Sequence, residues 1–254
     1  MTTANPPDAA ASGPFDADAL ALLREWDPQW AATCERMAGT PSRSGVLSPR
    51  LTELVGLAVN AAATNLDAEG TRRHIRRALD AGATRDEVLM VLKMSSLLAI
   101  HSCSLGAPIL LEEAAAAGVA SPPKSVATPA CDGLKAMGQW NAAWDPFYAL
   151  DPAFTDSFMA TGLGLYASRL LSPKDIELLS IAFDASYTHM YAPGTRRHIR
   201  GALAAGASVD EVMAVLELCV VQGVQSLNLG LPILAEELAR RGTSHEAGDG
   251  AAGP

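Results

Sequence analysis

The chain states one pattern twice, and no other feature constrains its fold as strongly. Residues 47–118, LSPRLTELVGLAVNAAATNLDAEGTRRHIRRALDAGATRDEV…LGAPILLEEAAAAG, return at 171–242 as LSPKDIELLSIAFDASYTHMYAPGTRRHIRGALAAGASVDEV…LGLPILAEELARRG, without a gap. The shift is a constant 124, so Glu53 matches Glu177 and His74 matches His198. The register extends upstream, where Asp27-Pro28 matches Asp151-Pro152 and Trp30 matches Phe154. A duplicated unit of this length is a domain-sized module, not a short solenoid repeat. One polypeptide then takes the place of a homodimer, and a site built between its units is free to become asymmetric.

Apolar residues make up 49% of the chain and aromatic ones only 5%, with much Ala and Leu, which favours helices over strands. No alternating apolar pattern bounded by turn residues appears, so the expected fold class is all-α, two homologous helical repeats packed as a pseudo-dimer. A net charge of −9 argues against nucleic acid and against an anionic membrane surface as partners. The four cysteines, Cys34, Cys103, Cys131 and Cys219, do not match between the repeats and show no metal-site spacing, which suits free thiols in a reducing compartment. The N-terminal residues lack a basic stretch followed by an apolar one, so no secretory signal is expected. The apolar runs 88–100 and 212–224 are short for a bilayer span and contain Lys93 and Glu217. A soluble, cytoplasmic protein is the expectation.

Composition divides the chain into a disordered start at 1–15, a first repeat at 16–118, a proline-rich linker at 119–133, a second repeat at 134–242 and a disordered tail at 243–254. Helix signals recur in both repeats. Ser48-Pro49 and Ser172-Pro173 pair a serine N-cap with proline at the first helical position. The next helix is expected after Gly70-Thr71 and Gly194-Thr195, ending at Gly82 and Gly206. Thr84-x-x-Glu87 and Ser208-x-x-Glu211 read as capping boxes. The last helix is expected after Pro108 and Pro232, ending at Gly118 and Gly242. The helices at 88–100 and 212–224 are apolar nearly all round, which predicts burial on every side and hence packing of repeat on repeat and further self-association in a ring of chains.

The longest identical run, Gly70–Arg76, returns at Gly194–Arg200. At 100° per residue, His74, Ile75, Ala78, Leu79 and Ala81 share one face, with Arg73, Arg76 and Arg77 opposite. An inward histidine can act as general acid or base, or can be a core residue bonded to a carbonyl. Arg72 and Arg196 lie in a first helical turn, where the macrodipole disfavours cations; they hold an anion there, or pair with carboxylates such as Asp67 or Glu69. Glu53, Gly56 and Asn60 share a face of the preceding helix, as do Glu177, Ser180 and Asp184. A helical hairpin would bring that carboxylate toward the histidine and orient it, unless the face is simply solvated.

These residues, Glu53-Leu54…His74…Ala78…Gly82-Ala-Thr-x-x-Glu87-Val and Glu177-Leu178…His198…Ala202…Gly206-Ala-Ser-x-x-Glu211-Val, resemble the carboxymuconolactone decarboxylase family, whose superfamily includes the thiol peroxidase of the alkyl hydroperoxide D type. The resemblance covers both repeats. It implies an all-helical fold, trimers or hexamers of single units, and sites between helices at unit interfaces. For a fused pair it implies a homotrimer that mimics a hexamer. The family's histidine falls on His74 and His198, and its glutamate on Glu53 and Glu177.

Departures accompany the likeness. The peroxidase branch carries Cys-x-x-Cys just upstream of the histidine, and no cysteine stands between Ala58 and His74 or between Ala182 and His198. The decarboxylase branch carries a further His and Tyr on the fourth helix, where this chain has Met94 and Leu98, then Leu218 and Gln222. The hairpin loops also differ: Asn65, Asp67 and Glu69 in the first face Tyr187, His189 and Tyr191 in the second.

Catalysis is therefore expected at His198 and Glu177, with His74 and Glu53 as the second pair. Arg196, Arg72, His189, Tyr187, Tyr191 and Gln222 are the candidates for substrate contact. The leading expectation is a cofactor-independent lyase, decarboxylase or isomerase acting on a small anionic lactone or oxo acid. The alternatives are a peroxidase-like redox protein without the two-cysteine centre, and a non-catalytic binding or scaffold protein. No cofactor and no metal is expected, although His189, His198 and a carboxylate leave a metal open.

Overall fold

The structure, a computed structural model, describes residues 13–120 and 122–249, and the side chains of all of these but 166 and 242–249. Every regular element among them is helical. The first repeat contains α1 (Ala17–Trp26), α2 (Pro28–Arg43), α3 (Pro49–Ala61), α4 (Ala68–Asp80), α5 (Arg85–Leu97) and α6 (His101–Ala116). The second contains α7 (Pro129–Ala136), α8 (Asp145–Leu150), α9 (Pro152–Ala167), α10 (Pro173–Ala185), α11 (Ala192–Ala204), α12 (Val209–Val221) and α13 (Gln225–Asp249).

Local chemistry sets the boundaries. The Ser48 and Ser172 hydroxyls accept from the amides of Leu51 and Asp175, and proline fills the first helical position of α3 and α10. Both capping boxes form, at Thr84/Glu87 and at Ser208/Glu211. Gly82 and Gly206 take positive φ, +89° and +88°, and close α4 and α11.

Several expectations shift. Helices α4 and α11 begin ahead of Gly70 and Gly194, at Ala68 and Ala192. Phe15 is buried against α1 and α2, although it falls in the expected disordered start; residues 1–12 and 250–254 lie outside the described ones. The end of the expected linker is helix α7, with Pro129 at its first turn and Cys131 in the core, because proline is tolerated at that one helical position. Pro108 and Pro232 do not open the last helices. They sit inside α6 and α13, which continue α5 and α12 through single 3₁₀ turns, and α13 runs past Gly242.

The stretches Arg85–Ala116 and Val209–Arg241 are thereby long and apolar enough to cross a membrane by length and composition, unlike the shorter runs read from the sequence. Their inner residues, among them Val91, Met94, Val215 and Leu218, belong to the core. The all-round burial expected of α5 and α12 is not met within one chain: Leu89, Val209, Met213 and Val220 are exposed.

The repeats are interleaved. Helices α3 and α10 pack together at the centre, and the Thr64 and Thr188 hydroxyls, equivalent by the repeat, meet at 3.2 Å and mark the pseudo-twofold axis. Around this pair one core runs through both repeats. Helices α1 and α2 pack on α12 and α13 of the other repeat, burying Phe15, Leu20, Leu23 and Cys34 against Val221 and Val224. Reciprocally, α8 and α9 pack on α6 and α5. Each hairpin that carries a histidine is therefore walled by helices of the other repeat.

Candidate active site

The hairpins α3–α4 and α10–α11 bring glutamate and histidine together as expected. His74 Nδ1 lies 2.7 Å from Glu53 Oε2, and His198 Nδ1 lies 2.7 Å from Glu177 Oε2. Both imidazoles are buried. The carboxylate can only accept, so the ring proton sits on Nδ1 and Nε2 is left as the basic nitrogen.

Beyond that pair the two centres diverge. The His74 ring rests on the backbone of α3 at Gly56, where an added Cβ would come within 2.3 Å of it, and its Nε2 has no hydrogen-bond partner. The equivalent residue of α10 is Ser180, whose side chain takes that space. The His198 ring turns instead toward Arg197 and Asp184: Nε2 accepts from Arg197 Nη2 at 2.8 Å and lies 3.6 Å from Asp184 Oδ2. Glu177 leans over Gly201, where the first repeat has Arg77.

The arginines beside the histidines also differ. Arg73 forms an ion pair with Asp16, the residue ahead of α1, which cancels its charge. The position equivalent to Asp16 is Trp140, and Arg197 makes no ion pair among the described residues. Its guanidinium lies 5.8 Å from the centre of the Trp144 ring, and its Nε is buried with no acceptor. Arg197 is a cation with donors to spare. Arg72 and Arg196, the expected anion holders, point elsewhere. Arg72 is exposed and pairs with Glu69 at 3.5 Å. Arg196 lines an outer cleft of about 520 Å³ with Met190, Thr195 and Ile199. A second cleft, about 470 Å³ between α5 and α9, is lined by residues such as Met90, Lys93 and Leu165. Neither cleft reaches a glutamate–histidine pair. The helical wheel put Arg73 on the solvent side and Leu79 inside; in fact Arg73 is largely covered and Leu79 is half exposed, because a long arginine stem folds back along the helix surface.

The interleaving assigns the loop and wall residues. Tyr187 and Gln222, two of the candidates for substrate contact, belong to the first centre and not to that of His198. Gln222 Oε1 accepts from Asn60 Nδ2 at 2.8 Å, Gln225 donates to Asn60 Oδ1, and the Tyr187 hydroxyl donates to Gln225 Oε1 at 2.9 Å. The second centre receives His101 from α6. His101 Nδ1 is 2.7 Å from His189 Nε2 and 3.6 Å from Asp184 Oδ1, and the Tyr191 ring stacks on it at 3.9 Å. Asn60 and Asp184 are equivalent, and their side-chain oxygens sit against Gly70 and Gly194, where a Cβ would meet them at 2.0 and 1.9 Å. The first centre is thus a satisfied amide network and the second a cluster of titratable groups. Burial pushes the Asp184 carboxyl up to about 6, against the pull of His198 and Arg197. Burial, with help from the neighbouring cationic groups, takes His101 down to about 3, and burial lowers His189 as well.

Two segments, residues 28–99 and 152–234, match the carboxymuconolactone decarboxylase family, and together they span more than half of the chain. The chain belongs to the carboxymuconolactone decarboxylase family. It also matches a crystal structure from Burkholderia xenovorans LB400, provisionally described as a gamma-carboxymuconolactone decarboxylase subunit, at 34% identity and a TM-score of 0.83, covering 92% of this chain and 99% of that one. Comparison with curated proteins gives no match.

Within this family the chain is a tandem two-repeat member without the Cys-x-x-Cys motif. Three of its four thiols are shifted away from the reactive form. Burial raises Cys219 to about 12 and, with the Asp156 carboxylate, Cys131 to about 11, and Cys34 is also raised. A nucleophilic thiol needs the opposite shift. Of the residues that complete the second centre, Asp184 had been placed on the Glu177 face, but neither it nor His101 nor Arg197 stood among the candidate site residues. The signal available was the replacement of Gln225 and Asn60 by His101 and Asp184 at equivalent places.

Proposed function

We propose that the chain is a proton-transfer enzyme, a lyase or decarboxylase or an isomerase, acting on a small anionic lactone or oxo acid at the second centre. No organic cofactor is required in this reading. Arg197 carries the proposal: a guanidinium without an ion-pair partner donates to the basic nitrogen of a histidine that a carboxylate holds from behind. A substrate carboxylate drawn to Arg197 displaces that hydrogen bond and leaves His198 Nε2 facing the substrate. In a decarboxylation, the C–C bond to the departing carbon dioxide breaks, its electron pair moves into the conjugated carbonyl, and the enolate takes at carbon a proton that His198 Nε2 has picked up from solvent. In an isomerisation the same nitrogen removes and returns a proton. Glu177 keeps the ring oriented and stabilises its protonated form.

The first centre, with Arg73 neutralised by Asp16 and Asn60 tied to Gln222 and Gln225, serves structure in this reading. The test is solvent-deuterium uptake and product formation, followed by NMR, over a panel of small lactones and oxo acids that includes gamma-carboxymuconolactone. Turnover should fall about 10²–10⁴-fold in His198→Gln, the usual worth of histidine acid–base catalysis. Absence of both exchange and turnover across the panel in the wild type would sink the reading, as would full activity in the variant.

We further propose a soluble cytoplasmic homotrimer, a pseudo-hexamer of repeats, since exposed Leu89, Val209, Met213 and Val220 on α5 and α12 need covering. Light scattering should give three chains of 26.4 kDa each; a monomer refutes it.

A further inference from the structure

We propose that His101, His189 and Asp184 form a binding site for one first-row divalent transition-metal ion, at the seam between the repeats. This goes beyond the acid–base reading and does not depend on it. One ligand atom from each residue lies within 4.8 Å of the other two, and the three come from α6, the α10–α11 loop and α10. Two imidazoles and one carboxylate suit zinc or iron(II), not magnesium or calcium, which take oxygen ligands.

Two observations support a cation there. Asp184 is only 2% exposed, and its Oδ2 is buried with no hydrogen-bond partner. A buried carboxylate left in that state is costly unless a cation or a proton satisfies it. The molecule also contains its own control. At the equivalent place in the first repeat stand Gln225, Asn65 and Asn60, and there Asn60 is bonded on both sides by Gln222 and Gln225. At this one position the contrast is plain: the Asn60 side chain has its hydrogen bonds, whereas Asp184 Oδ2 has none.

The His101 and His189 nitrogens are 2.7 Å apart and share one proton. A tetrahedral ion at about 2.0–2.1 Å from each nitrogen holds two such atoms about 3.3 Å apart. A few tenths of an ångström of opening in the His189 loop would replace that proton by the ion. The stacked Tyr191 ring fixes the plane of His101, as an outer-shell partner does for a ligating imidazole. Arg197 faces the cluster and opposes a second cation, and the Asp184 and Glu177 carboxylates offset two of the three positive charges this would bring together.

The test uses full-length, tag-free protein stripped with chelator, then titrated with zinc chloride by calorimetry and assayed for zinc by mass spectrometry after dialysis. We expect one zinc per chain and a higher melting temperature. His101→Gln and Asp184→Asn each bring in the side chain of the first centre and should weaken zinc binding at least about 100-fold, since outer-shell changes alone cost 10–100-fold. Should either variant fail to fold, His189→Asn in the loop gives the same reading. His198→Gln should retain zinc while losing turnover, which separates this site from the proposed reaction. Equal zinc binding by the wild type and His101→Gln, or less than one-tenth of an equivalent in the wild type, would overturn the proposal.

Discussion

Arg197 and His198 are neighbours in sequence whose side chains meet, with Nη2 of the first 2.8 Å from Nε2 of the second. The equivalent Arg73 is held away by Asp16 and leaves His74 Nε2 alone. A repeat that is identical over seven residues thus has two electrostatic outcomes, decided by what stands at Asp16 and Trp140. Removing the charge at Arg197 (Arg197→Met) should raise KM at least about tenfold, because a charge-assisted contact to a carboxylate is worth roughly 1.5–3 kcal/mol. Arg73→Met should leave KM within about twofold. Steady-state kinetics on any substrate found in the panel decides between them.

The His74 ring rests on Gly56, so Gly56→Ala drives a methyl group to 2.3 Å from the ring and must break the Glu53 pairing. A cost of about 1–3 kcal/mol is expected for such overpacking. Ser180→Ala, which removes only a hydroxyl bonded to the Ile176 carbonyl, should cost less. Urea denaturation measures both, and equal costs would contradict the different ring placements.

Thiol chemistry should be slow. Cys34, Cys131 and Cys219 are buried, with raised pKa values, and Cys103 alone is half exposed. A chromogenic disulfide reagent should titrate at most Cys103 in the native protein near neutral pH and all four thiols once it unfolds. Peroxide turnover with a thiol reductant, lost in Cys103→Ser, would favour a redox protein instead.

The capping boxes offer a pH test. Hydrogen bonds from Lys174 and from the Ser208 amide hold the Glu211 carboxyl below its ordinary value of 4.5. A lowered carboxyl pKa stabilises the fold above the unfolded-state value, and that contribution disappears as pH falls through the folded-state value. Stability should therefore decline more steeply below pH 4.5 in the wild type than in Glu211→Gln. Ser208→Ala should cost about 1 kcal/mol at neutral pH. Melting curves across the acid range report both effects.

Much of this molecule was readable because it is local. A serine cap ahead of a proline, a capping box and a glycine in the left-handed region each act over a few residues, and all occur where the sequence put them. The Glu53–His74 and Glu177–His198 pairings followed from placing two helices in a hairpin. What one repeat lends to the other was not readable. Gln222 was a candidate for substrate contact by its place on the second repeat's fourth helix, but α12 and α13 wall the first centre, and the distance from Asn60 to Gln222 is short only in the folded chain. Arg73 was misjudged because a wheel of Cα directions ignores where a long, flexible stem can reach. Residues 129–133 looked like linker because the proline that opens α7 stands at the one helical position that tolerates it.

The interleaving has a consequence for how the chain reaches this shape. The amide of Asp16 bonds Asn228, 212 residues away, and Asn60 bonds Gln222 across 162. Contacts that distant close late, after the local hairpins have formed. As the chain leaves the ribosome, the first repeat must wait with one flank uncovered until the last helix arrives to seal it.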